Sequence, residues 1–112
     1  MISRKMGLST RCVHVGDVLD ERGGIHAPLY NHSTFAFRNT ADLVDVVEGR
    51  ADGNLYTRYG LNPTIRAVEE KLASIESGEQ AMVFSSGMAA EAATFLTYCR
   101  TGDNIICIGD AY

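Results

Sequence analysis

The chain has 112 residues and a formal net charge of −4, a size that fits one domain and can enclose a core. The mild acidic excess, with no basic run to reverse it, argues against nucleic acid as a partner. No apolar stretch nears the ~20 residues of a membrane span, and the basic pair Arg4-Lys5 has no apolar segment behind it, so no secretory signal is read and a cytoplasmic location is expected.

Residues 1–38 lack helical periodicity and carry scattered His, Gly and Ser. The stretches Ile25 to Tyr30 and Ser33 to Phe37 read as extended, so this part is expected to be an arm that packs on something else. Cys12, with Cys99 and Cys107 later in the chain, makes an odd set without metal-ligand spacing, and reduced, buried or incidental thiols are expected. A short helix is predicted from a cap near Asn39 or Thr40, through Leu43, Val46 and Val47, to Gly49. Residues 50–61 are polar and glycine-containing, hence a loop. Within it, Arg58 is flanked by Tyr56 and Tyr59. Arginine binds phosphate oxygens through charge-assisted, bidentate bonds, although a surface arginine in a loop would give the same pattern.

Asn62-Pro63-Thr64 then opens a helix, since asparagine caps well and proline at the first position loses no needed bond. Ile65, Val68, Leu72 and Ile75 recur on one face, and Ser77-Gly78 ends the run. Gln80 to Phe84 reads as a strand running into Ser85-Ser86-Gly87. A second helix follows, with Met88, Ala92, Phe95 and Cys99 as its expected buried face, closed by Arg100-Thr101-Gly102. Asn104 to Ile108 reads as a buried strand parallel to the first, giving a right-handed βαβ unit. The Ser85-Ser86-Gly87-Met88 junction matters most. A helix start has four unpaired N–H donors and about half a positive charge, which suits a phosphate. Tyr112 ends the chain beside that junction in a parallel sheet. Its ring could cover a flat cofactor or simply pack. Two parallel strands would leave bare edges, so an N-terminal piece of a longer protein is expected.

These residues together resemble the Cys/Met-metabolism family of pyridoxal-phosphate enzymes, which contains cystathionine γ-synthases, cystathionine lyases, methionine γ-lyases and O-acylhomoserine sulfhydrylases. Tyr56-Thr57-Arg58 with Asn62-Pro63-Thr64 is similar to the family's Tyr-x-Arg-x-x-Asn-Pro-Thr segment. Phe84-Ser85-Ser86-Gly87-Met88 looks like its phosphate turn, and Gly109-Asp110-Ala111-Tyr112 resembles the segment with its ring-stacking tyrosine. The resemblance covers essentially the whole chain. It implies an α/β fold: an inter-subunit arm over 1–38, then over 39–112 the truncated start of the cofactor domain of a fold-type I enzyme. It implies that Ser86, Gly87 and Met88 bind the phosphate of pyridoxal 5′-phosphate. Tyr56 and Arg58 would reach the phosphate of a neighbouring subunit, and Tyr112 would stack on the ring and assist proton transfer. A homodimer or homotetramer with shared sites and a small amino-acid substrate would follow.

One departure stands in the loop. Three residues, Tyr59-Gly60-Leu61, separate Arg58 from Asn62, where the family has two, and Gly60 could absorb the extra one as a turn. The chemistry of such an enzyme also needs a lysine to hold the cofactor as a Schiff base and an acid at the pyridinium nitrogen. Lys5 and Lys71 are the only lysines, one near the N-terminus and the other flanking a helical stripe, so the piece by itself is expected to be inactive. Its complete form would be a lyase or transferase of sulfur amino acids, by γ-elimination or γ-replacement on cystathionine, methionine or O-acylhomoserine. The alternatives are a non-catalytic short paralogue that docks on a full-length subunit, and a nucleotide-binding module. The latter lacks both Gly-x-Gly-x-x-Gly and Gly-x-x-x-x-Gly-Lys-Ser/Thr.

Overall fold

The computed structural model describes residues 6–17 and 20–110. These described residues form four α-helices, α1 (Leu8–His14), α2 (Thr40–Val47), α3 (Pro63–Ile75) and α4 (Gly87–Tyr98), with a 3₁₀ turn at Thr57–Tyr59. The chain divides into two compact units, the first ending at Met82 and the second beginning at Val83.

Each of the last three helices starts where a side chain can replace a missing backbone acceptor. The side chains of Asn39, Asn62 and Ser86 accept from the amides of Asp42, Thr64 and Ala89, and such a cap is worth roughly 1 kcal/mol. Pro63 takes the first position of α3, where a missing N–H costs nothing.

In the first unit, α1 lies against α3. No helix was expected among residues 1–38, because seven residues are too few to show a period. Tertiary bonds hold it instead. The Arg11 guanidinium donates to the Ser74 carbonyl, and Lys71 Nζ donates to the Val13 carbonyl at 3.3 Å. Each helix thus sends a cation to the last carbonyls of the other, where the helix dipole is negative. Gly16 sits against Ala67 with φ +78°, and a Cβ there would collide with the Ala67 carbonyl. The pairs 11–74, 13–71 and 16–67 run in opposite directions, so the two helices are antiparallel.

Helix α1 covers the Ala67–Lys71–Ser74 side of α3, and not the predicted apolar stripe. Val68 and Leu72 on that stripe remain 45% and 41% exposed. The arm also touches the loop before α3. A single antiparallel bridge joins Thr34 to Tyr56, flanked by Phe35 N–H to Leu55 O at 3.1 Å and Thr57 N–H to Ser33 O at 3.0 Å. Val15, Ala73 and Asn62 are the buried residues among those described.

The second unit departs from the expected βαβ arrangement. Neither Gln80–Phe84 nor Asn104–Ile108 forms a strand, and no β-ladder occurs among the described residues. A strand exists by pairing with another segment, and these two segments do not meet in a ladder. The expected buried face of α4 is likewise uncovered, with Met88 70% and Phe95 41% exposed. Its apolar residues follow helical spacing, but nothing within the second unit buries them. The three cysteines are free, with Cys12 and Cys107 exposed and Cys99 half-buried.

Candidate functional site

The start of α4 is built as the sequence predicts. Ser86 is the cap, with extended backbone at φ −156°, ψ 156°. Its Oγ accepts from Ala89 N–H at 3.1 Å, and its carbonyl accepts from Ala90 N–H at 3.2 Å. These two bonds satisfy the third and fourth amides of the helix. The first two, from Gly87 and Met88, have no intrahelical acceptor by the geometry of any helix start. The Ser86 hydroxyl proton is still free to donate, because the cap uses only an oxygen lone pair. Space beside Gly87 is open, since a Cβ there would meet nothing within 4 Å. The chemical result is two or three donors at the positive end of a helix dipole, a set that suits an anion.

Tyr56 and Arg58 form the second predicted group, in the first unit. The Arg58 guanidinium carbon lies 5.7 Å from the centre of the Tyr56 ring, within cation–π range. Tyr59 packs edge-on against Tyr56 with ring centres 5.4 Å apart. Arg50 and Arg66 nearby are paired with carboxylates, Arg50 with Asp45 at 2.7 Å and Arg66 with Asp52 at 2.6 Å. Arg58 has no carboxylate partner among the described residues, so its charge is available to an anion.

Gly60 makes a turn in this loop, as the sequence suggests. Gly60 adopts φ +74° at the end of the 3₁₀ turn, and its N–H donates to Thr57 O at 3.0 Å. That left-handed conformation disfavours every residue with a Cβ.

The structure adds Asn62, which sequence reading identified only as a cap. It is 2% exposed. Its Oδ1 accepts from Thr64 N–H at 2.8 Å, while Nδ2 donates to Tyr30 O and to Thr57 Oγ1, both at 3.0 Å. Asparagine at a helix start signals the first bond. The other two depend on chain segments brought in by the fold.

Ser86, Gly87 and Met88 therefore stand together in one unit, and Tyr56 and Arg58 stand together in the other. Tyr112 lies outside the described residues. Lys71 is occupied by Val13 O and by Asp17, 3.9 Å away. Among the described residues, no group of His, Cys, Asp and Glu could hold a metal ion. No helix there is long and apolar enough to cross a membrane.

The chain is similar to known proteins over most of its length. The chain is 42% identical to an L-methionine gamma-lyase of Pseudomonas deceptionensis over 104 residues, covering 92% of this chain and 26% of that protein. It is 40% identical to a cystathionine gamma-synthase of Mycobacterium bovis over 107 residues, covering 95% of this chain and 26% of that one. The crystal structure of metB from Corynebacterium glutamicum superposes with a TM-score of 0.77 at 35% identity, covering 91% of this chain and 25% of its own. The chain thus spans about a quarter of the length of the relatives it matches. The model of the Cys/Met metabolism PLP-dependent enzymes matches residues 9–112, and the chain belongs to that family.

Proposed function

We propose that this chain supplies part of the cofactor-phosphate site of a pyridoxal-phosphate-dependent lyase or transferase acting on sulfur amino acids. The observation that carries the reading is the open start of α4, with the Gly87 and Met88 amides unclaimed by the helix, in a chain matched by the family over residues 9–112. The donor set fits the group. A phosphate monoester offers only acceptors at neutral pH, and Gly87 N–H, Met88 N–H and the Ser86 hydroxyl offer only donors to it.

When bound, pyridoxal phosphate supplies an electron sink for carbanion chemistry at the amino acid. The residues here hold and orient. Gly87, Met88 and Ser86 fix the phosphate end. Tyr56 and Arg58 contribute a hydroxyl and a full positive charge to the phosphate in the site of a neighbouring subunit, in a homodimer or homotetramer. The charge matters energetically, because each hydrogen bond to the phosphate contributes about 1.5–3 kcal/mol and the helix dipole adds only about 0.3–1 kcal/mol, so a full charge on a bidentate donor is a substantial addition. Tyr112 would stack on the ring and assist proton transfer near the substrate. Lys71 takes no part in this, being committed to the α1–α3 seam, and the covalent attachment point lies elsewhere in the complete enzyme. The apolar Gln80–Phe84 and Asn104–Ile108 segments join the parallel sheet of the complete α/β domain there.

β-Elimination, γ-elimination and γ-replacement all use these phosphate contacts, and membership of the family supports γ-elimination or γ-replacement on cystathionine, methionine or O-acylhomoserine. The test is to express the complete gene product, record its visible cofactor absorbance after dialysis, and analyse products from those three substrates. Retained absorbance with turnover of at least one substrate is expected. A protein that takes up no pyridoxal phosphate contradicts the reading.

A further inference from the structure

We infer that Asn62 is a positioning residue for the phosphate-contacting loop, acting through Thr57 to hold Tyr56 and Arg58 in place. This rests on the reading of Tyr56 and Arg58 as phosphate contacts.

The geometry that carries it is a relay of hydrogen bonds with one polarity. Asn62 Nδ2 donates to Thr57 Oγ1 at 3.0 Å, and the Thr57 hydroxyl donates onward to the His32 carbonyl. The second Nδ2 hydrogen goes to Tyr30 O. Thr64 N–H can only donate and Tyr30 O can only accept, so the carboxamide has one satisfied orientation. Thr57 is half-buried and lies between the half-buried Tyr56 and the exposed Arg58. Tying its hydroxyl inward leaves its two neighbours presented outward. Around the relay, Tyr30 N–H donates to Thr64 Oγ1 at 2.9 Å, and Thr57 N–H donates to Ser33 O at 3.0 Å. The arm, the loop and the start of α3 thus converge on one side chain that is 2% exposed.

A helix cap alone needs only Oδ1. Serine caps nearly as well and is too short to supply the two donors, so Asn62→Ser separates capping from positioning. Thr57→Val removes the hydroxyl with little change of shape, while Thr57→Ser keeps it. In the complete gene product, pyridoxal-phosphate retention after dialysis and the helical circular dichroism signal are measured for all three variants and for the Asn62→Ser/Thr57→Val double variant.

The expected result is a loss of cofactor affinity of about tenfold or more in Asn62→Ser and Thr57→Val, with helix content kept. Thr57→Ser should behave as the unmodified protein, and the double variant should lose no more than either single one. Unmodified retention in Asn62→Ser and Thr57→Val overturns the inference. So do fully additive losses, or a Thr57→Ser variant as weak as Thr57→Val. If Asn62→Ser does not fold, the contrast between Thr57→Val and Thr57→Ser decides. If the unmodified protein takes up no pyridoxal phosphate, the functional reading fails separately. Amide exchange at Thr57 and Tyr59 then decides the relay: faster in Thr57→Val but not in Thr57→Ser supports it, and unchanged exchange overturns it.

Discussion

Arg58 is held by an aromatic ring and not by a carboxylate, so its charge is free for a ligand. Replacing it with alanine in the complete gene product should weaken cofactor retention by about tenfold or more, the equivalent of one charge-assisted bond. Cofactor absorbance after dialysis checks this, and unchanged retention contradicts it. Gly60 sets the path that places Arg58. Gly60→Ala forces a Cβ into φ +74° and should cost about 1–2 kcal/mol, read as a lowered thermal midpoint of the complete gene product. Local conformation was legible where it depends on neighbouring residues. The Ser86-Gly87 helix start and the Gly60 turn are both found where the sequence places them. Asn62 was only half legible, because its bonds to Tyr30 and Thr57 span 32 and 5 residues and leave no period or motif.

At the scale of elements, α2, α3 and α4 were readable because each has a cap and a sharp stop. The stop of α3 holds a detail the sequence disguises. The left-handed residue is Ser77, at φ +59°, and Gly78 is the next one, donating to Ala73 O at 2.9 Å while Ser77 N–H reaches Ser74 O. This is a Schellman arrangement with a serine where glycine is favoured. In the complete gene product, Ser77→Gly should therefore raise stability by up to about 1 kcal/mol, measured by thermal unfolding, and a lowered midpoint would contradict this. Gly16→Ala should do the opposite, because its Cβ meets the backbone of α3. A loss of about 1–3 kcal/mol is expected from such overpacking. Helix α1 and the missing strands escaped the sequence for one reason: both depend on a partner segment. Arg11 of α1 and Lys71 of α3 hold α1 in place by each reaching across to the other helix, while Gln80–Phe84 and Asn104–Ile108 are apolar enough to pair but meet no ladder among the described residues.

For the whole molecule, much of the apolar surface lies open. Leu96, Ile106 and Ile108 are 84%, 97% and 77% exposed, in a chain that spans about a quarter of its relatives. Such surface promotes association, so residues 1–112 alone are expected to bind an apolar dye and unfold without a sharp transition. A cooperative thermal transition from a monomer would contradict that. The central claim is that the first amides of α4 hold the cofactor phosphate. Gly87→Pro tests it most directly. Proline suits the first helical position, and the extended backbone of Ser86 before it is compatible with proline, so the helix survives while one N–H donor is removed. The measurement is pyridoxal-phosphate affinity of the complete gene product, by titration of the dialysed protein, with circular dichroism as the check on α4. Affinity lowered about tenfold or more with helix content unchanged is expected. Equal affinity in the two proteins would contradict it.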